Sequence, residues 1–177
     1  MPTDEELMRA VARGDAGALG ALSARWQRRL QAFLFRAAGG RDTDDLYQET
    51  WLRVVRAAPG FDPRQRFSTW LFQIALNLSR DLLRRRLPEP ATAEALARAA
   101  VDGSSGAATP GDAALDVQRL LAAPPAAQRA VVVLRVLEDV PEEEVARIVG
   151  CPSGTVKSRL HHGLARLAAL AREGGAS

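Results

Sequence analysis

The chain carries 23 arginines but a single lysine, Lys157, and only two histidines, His161 and His162. All three fall in the stretch GCPSGTVKSRLHH (150–162). An ammonium, two imidazoles and the hydroxyls of Ser153, Thr155 and Ser158 are hydrogen-bonding groups whose geometries differ from arginine's planar fork. That chemistry suits recognition of polar edges and anions. It does not suit bond making, because no paired catalytic residues with a glycine-rich loop accompany it. Metal binding is not expected either. Adjacent histidines on a helix diverge by about 100° and do not chelate together, and no cluster of cysteines or acids lies beside them. Cys151, the chain's single cysteine, reads as a small packing residue, and no cofactor is expected.

Two helices must position this stretch. PEEEVARIVG (141–150) reads as the first. Pro141 suits a first helical position, and Glu142, Glu143 and Glu144 suit the positive end of its dipole. Val145, Ile148 and Val149 supply a buried side, Gly150 ends the helix, and Pro152 prevents its continuation. Ser153 can cap the second helix, so the pair forms a helix-turn-helix. A helical wheel places Val156, Leu160, Gly163, Leu164 and Leu167 on a core side. Gly154, Thr155, Ser158, His162 and Ala165 point the opposite way, flanked by Lys157, Arg159, His161 and Arg166. Small or polar residues at the centre with cations at the rims fit a helix lying in the major groove of DNA. An ordinary amphipathic helix with a solvated basic face remains the alternative at this point.

A second constellation lies about a hundred residues upstream. In RDTDDLYQETWLRVVRA (41–57) the wheel turns Tyr47, Thr50, Trp51, Val54 and Ala58 inward. Asp45, Gln48, Glu49, Leu52 and Arg56 share the outer face. A lone apolar Leu52 ringed by polar groups fits a protein-binding face, although solvated faces often look the same. FDPRQRFSTWLFQIALNLSRDLLRRR (61–86) then reads as a short loop, 61–66, and a helix with Ser68 as a cap. Phe61, Phe67, Trp70 and Phe72 fall among Arg64, Arg66, Arg80, Arg84, Arg85 and Arg86. Aromatics interleaved with arginines make a platform for unstacked bases above a groove for phosphates. The alternative is that the aromatics are core. Leu71, Ile74, Leu78 and Leu82 give the expected core stripe.

Composition bounds the rest. The 177 residues suffice for one domain or two small ones. The net charge is +3 and the sequence pI about 9.9, which favours an anionic partner without proving one. No run nears the ~18 apolar residues of a membrane span. MPTDEELMRA is acidic and lacks a signal peptide's apolar core, so a soluble cytoplasmic protein is expected. Strand signals are scarce; VVVLRVL (131–137) sits within a helical pattern. Residues 88–112, rich in Pro, Gly and Ala, lack the apolar surface to offset chain entropy and read as a flexible linker, with a transient helix possible over 92–101. The expected fold is all-α, with two small helical domains (1–87 and 113–177) joined by that linker. Fully extended, its 25 residues would reach roughly 80 Å.

Both constellations resemble one family, the bacterial extracytoplasmic-function (ECF) sigma factors. DDLYQETWLRVVRA is similar to their region 2.2, FDPRQRFSTWLFQIALNLSRDLLRRR to regions 2.3 and 2.4, and LLAAPPAAQRAVVVLRVLEDVPEEEVARIVGCPSGTVKSRLHHGLARL to region 4. The resemblance implies a non-enzymatic initiation factor. Region 2 would bind the clamp helices of the polymerase β′ subunit through Asp45, Gln48, Glu49 and Leu52. It would melt and read the −10 element with Arg64, Arg66, Trp70, Asn77, Arg80 and Arg84. Region 4 would contact the β flap and read the −35 element with Ser153, Thr155, Lys157, Ser158, Arg159, His161, His162 and Arg166. Core RNA polymerase, promoter DNA and an anti-sigma factor are the implied partners. The chain departs from the family at Pro141, where a capping Ser or Thr is usual, at Asp139, where glycine is frequent, and at His161 and His162, where an aromatic or arginine is frequent. Three rival readings weigh less. A decoy for anti-sigma proteins predicts an eroded DNA face. A dimeric helix-turn-helix repressor predicts no polymerase-binding helix. An enzyme predicts catalytic pairs.

Overall fold

A computed structural model describes residues 1–40, 42–86, 117 and 120–174; the expected linker and the transient helix within it lie outside the described residues. Among the described residues the regular elements are all helices.

α1 (Asp4–Ala12) begins with a capping box: Glu6 N–H donates to Thr3 Oγ1 at 3.1 Å and Thr3 N–H to Glu6 Oε2 at 2.8 Å. α2 (Ala16–Ala37) is capped by Asp15, which accepts from Ala18 N–H. Its buried residues, Ala18, Leu22, Trp26, Leu30, Phe33, Leu34 and Ala37, repeat every three or four positions and form one stripe. α3 (Thr43–Ala57) buries Leu46, Thr50, Trp51 and Val54. A 3-10 turn (Ala58–Gly60) and the loop 61–66 lead into α4 (Phe67–Arg86). Trp26, Phe33, Phe67 and Phe72 interlock at the centre, with Phe33 and Phe72 at 4.7 Å and Trp26 edge-on to Phe72 at 5.8 Å.

α1 ties this bundle together. Its Asp4 accepts from Trp26 Nε1–H at 2.9 Å, and Glu5 Oε1 accepts from Phe67 N–H at 3.0 Å. The second bond corrects an expectation. Ser68 does not cap α4, because the helix already includes Phe67 and the first amide is satisfied by a carboxylate from α1. The core stripe of α4 is also wider than Leu71, Ile74, Leu78 and Leu82. Ile74 and Leu82 are only partly buried, whereas Phe67, Phe72, Ala75 and Leu76 are buried with Leu71 and Leu78.

In the second half α5 (Ala126–Val132) runs on into a π-helical turn (Val133–Leu137). α6 (Glu142–Val149) and α7 (Ser153–Gly174) form the helix-turn-helix. Pro141 stands just before α6 rather than within it, with extended backbone and no capping side chain. Three glutamates in the first turn favour the dipole instead. Asp139 adopts φ 50°, a left-handed conformation that Asp tolerates where glycine is usual. Gly150 closes α6 in the same region at φ 74°. Ser153 is the first residue of α7 and not its cap; Pro152 O accepts from Thr155 and Val156 N–H.

The two halves are docked. α4 packs on α6, and α2 touches α5 and the π turn. Buried Glu138 accepts from Arg29 Nε–H at 2.7 Å and lies 3.5 Å from Arg36, and its backbone carbonyl accepts from Arg29 Nη2–H at 2.6 Å. Glu144 accepts from the Thr69 hydroxyl and pairs with Arg66 at 3.2 Å. Both terminal nitrogens of Arg80 donate to Val149 O, at 3.3 and 3.4 Å.

Candidate nucleic-acid and polymerase interfaces

α3 presents the first surface. Asp45 and Gln48 are exposed and Glu49 is partly so, pairing with Arg53 at 3.3 Å. Leu52 is 50% exposed, and Val55, one turn on, is 42% exposed. Beside them α2 and α3 form an apolar groove of about 420 Å³, lined by Leu19, Ser23, Tyr47, Gln48, Trp51, Leu52 and Val55. Sequence reasoning placed Gln48 and Leu52 on the outer face, but it turned Tyr47 and Trp51 inward and did not name Val55, all three of which line the groove. It missed Leu19 and Ser23, because no periodicity within α3 reports on which face of α2 lies alongside.

The second surface is the loop 61–66 with α4. Asp62 pins the loop, accepting from Arg64 N–H at 2.9 Å and from the Arg64 guanidinium at 2.9–3.2 Å. Those hydrogen bonds hold the Asp62 carboxyl below its ordinary range and raise the Arg64 guanidinium. The aromatic platform is smaller than expected. Phe61, Phe67 and Phe72 are buried in the core, and Trp70 alone stays half-exposed, its ring 5.0 Å from Phe61. Asn77 and Arg84 are exposed, Arg84 near Asp81 at 3.3 Å. Arg66 and Arg80 are held at the docking interface. Burial, and then the charge of nearby Arg159, lower the Arg80 pKa from its ordinary value.

The third surface is the outer face of α7. Lys157, Ser158, His161, His162 and Arg166 are exposed, and Ser153 and Thr155 are partly buried. Lys157 Nζ lies 3.7 Å from Glu142. Ser158 Oγ donates to Thr155 O at 3.1 Å. His162 Nδ1 stands 2.7 Å from Ser158 O. Arg159 differs from the expectation of a rim cation. It is half-buried, with Nη1 donating to Cys151 Sγ at 3.6 Å, and it faces Arg80 of the other half. Leu164 is not core either; it is 42% exposed, while Gly163 beside it is buried. Five of the eight residues expected to read the −35 element thus share one open face, and Arg159 leaves it.

Residues 22–87 match the family model for sigma-70 region 2, and residues 114–167 match that for sigma-70 region 4. The ECF RNA polymerase sigma-E factor of Escherichia coli (strain K12) is 31% identical over 169 residues, 89% of this chain and 88% of its own. The protein of that name from Haemophilus influenzae is 30% identical over 169 residues. The chain belongs to the ECF sigma factors. It is therefore a transcription initiation factor and not an enzyme, and its sigma domains bind core RNA polymerase and promoter DNA.

Two solved structures resemble the sigma factor with both halves included. CnrH in complex with the cytosolic domain of CnrY superposes with a TM-score of 0.73 at 29% identity, over 96% of this chain and 97% of that one. The sigma factor RpoE of Bartonella quintana, in complex with the anti-sigma factor NepR, gives 0.70 at 24% identity, over 85% and 94%. No helix among the described residues is long and apolar enough to cross a membrane.

Proposed function

We propose that this sigma factor works in the cytoplasm as three surfaces on two domains, 1–87 and 113–177, with 88–112 as the tether. Asp45, Gln48, Glu49 and Leu52, with the groove beside them, dock on the β′ clamp helices. An apolar centre ringed by polar groups suits that role. Arg64, Arg66, Arg80 and Arg84 hold the −10 backbone through charge. Trp70 and Asn77 hold unstacked bases; stacking on one aromatic returns about 1–3 kcal/mol per base, comparable with the few kcal/mol spent unstacking it. Ser153, Thr155, Lys157, Ser158, His161, His162 and Arg166 read or grip the −35 element, and Arg159 joins them once the halves separate. The C-terminal domain also meets the β flap, and an anti-sigma factor restrains the free protein, as the partners of CnrH and RpoE suggest. The observation that carries this reading is the open face of α7, polar at its centre and cationic at its rim, on a region 4 match.

The test is to assemble the chain with core polymerase and sequence the 5′ ends of run-off transcripts from fragmented genomic DNA. Start sites sharing two spaced motifs are expected. Start sites without a shared upstream motif would overturn the −35 assignment.

A further inference from the structure

The open face of α7 contains both histidines of the chain, and one has its hydrogen position dictated by the backbone. His162 Nδ1 lies 2.7 Å from the carbonyl oxygen of Ser158, one turn earlier. A carbonyl oxygen only accepts, so Nδ1 must carry the hydrogen. A neutral imidazole has one N–H, which leaves Nε2 with a lone pair and no hydrogen. The two ring nitrogens flank Cε1 and point in widely divergent directions in the ring plane. Anchoring Nδ1 to the helix therefore turns Nε2 outward, from an exposed side chain.

We infer that His162 is a specificity-determining acceptor, selecting cytosine or adenine in the −35 element on the strand that it faces. This rests on the reading that α7 enters the major groove. In that groove cytosine presents its N4 amino group and adenine its N6 amino group, both donors. Guanine presents only the N7 and O6 acceptors, and thymine the O4 acceptor and a methyl group. An Nε2 lone pair meets a donor on the first two and a repelling lone pair on the others. An arginine at this position would do the reverse, since its guanidinium only donates and pairs with guanine. The bond to Ser158 O thus does more than hold the ring. It converts a residue able to offer either a donor or an acceptor into one that offers an acceptor.

Two measurements on the full chain test this. The first uses ¹⁵N-histidine labelling, which gives signals from two residues only, assigned with the His161→Gln variant. Long-range proton–nitrogen correlation at about pH 8, where a free imidazole is neutral, should show His162 protonated at Nδ1. A hydrogen on Nε2, or averaging between the two, overturns the inference. The second selects randomised −35 duplexes with holoenzyme carrying wild type, His162→Ala or His162→Arg. Wild type should prefer cytosine or adenine at one position, His162→Ala should flatten that preference by about tenfold, and His162→Arg should move it to guanine. If His162→Ala flattens a position where wild type prefers guanine or thymine, α7 reads DNA but the acceptor inference fails. If wild type and His162→Ala select identical sequences, His162 faces solvent and the groove reading fails at this residue.

Discussion

Gly163 sets how closely α7 approaches α5. A Cβ built there would lie 2.7 Å from Val132 Cγ2, closer than side chains tolerate, while Gln128 O at 3.6 Å would be in ordinary contact. Gly163→Ala should therefore cost on the order of 1–3 kcal/mol, the range for overpacked cores, and lower the midpoint of thermal unfolding followed by circular dichroism; an unchanged midpoint would mean that the helices separate freely. At the same scale, base and phosphate contacts should part company. Arg166→Ala should weaken binding to all −35 sequences alike and reduce the salt slope by about 1. Ser158→Ala should leave the slope alone and relax preference at particular base pairs. Filter binding across a salt series distinguishes them. The outward placing of Ser158, His161, His162 and Arg166 was legible from helical period alone, because one face of α7 is buried and the rest follows at 100° per residue. The placing of Arg159 and Leu164 was not. Both lie near the edge of the apolar stripe, where the wheel is ambiguous and a neighbouring helix decides.

Element boundaries show the same division. Gly150 ended α6 where the chain needed a left-handed residue. The start of α4 escaped local reasoning, because its first amide is satisfied by Glu5, sixty-two positions away. The aromatics of 61–72 read as a base platform because composition cannot tell a packed Phe from an exposed one; only the third dimension buried Phe61, Phe67 and Phe72 and left Trp70. That narrows what α4 can do to DNA. Asn77→Ala should leave −35 binding intact and weaken permanganate reactivity of single-stranded thymines in the open complex. Unchanged reactivity with normal transcription would remove the −10 role from this face. For α3, the double variant Gln48→Ala, Glu49→Arg changes exposed or partly exposed positions only. It should fold normally and fail to co-elute with core polymerase on gel filtration, and normal co-elution would sink the docking assignment.

The docking of the halves was the least legible feature, since Glu138 meets Arg29 across 109 residues of sequence and nothing local in either segment announces the other. The acids Glu138, Asp139, Glu142, Glu143 and Glu144 fall close together in the sequence, a local charge pattern that names no partner. In the folded chain its members do what phosphates would do. Glu138, with 3% of its side chain exposed, engages Arg29 and Arg36, and Glu144 engages Arg66, one of the cations assigned to the −10 backbone. Arg80, another, is spent on Val149 O beside the repelling charge of Arg159. On the −10 role proposed for Arg66 and Arg80, DNA and this docking would compete for the same guanidinium groups. Hydrogen bonds to charged groups contribute about 1.5–3 kcal/mol each when well shielded, and the exposed Arg66 pair contributes less. Glu138→Gln with Glu144→Gln keeps the shapes and removes both charges. The free double variant should show a larger radius of gyration by small-angle scattering and bind −10 single strands about tenfold more tightly than wild type at equal salt. Neutral glutamines would leave Arg29, Arg36 and Arg66 for phosphates, so the gain should shrink as salt rises. An unchanged radius with unchanged affinity would show that apolar packing of α4 on α6 holds the halves together without the two carboxylates.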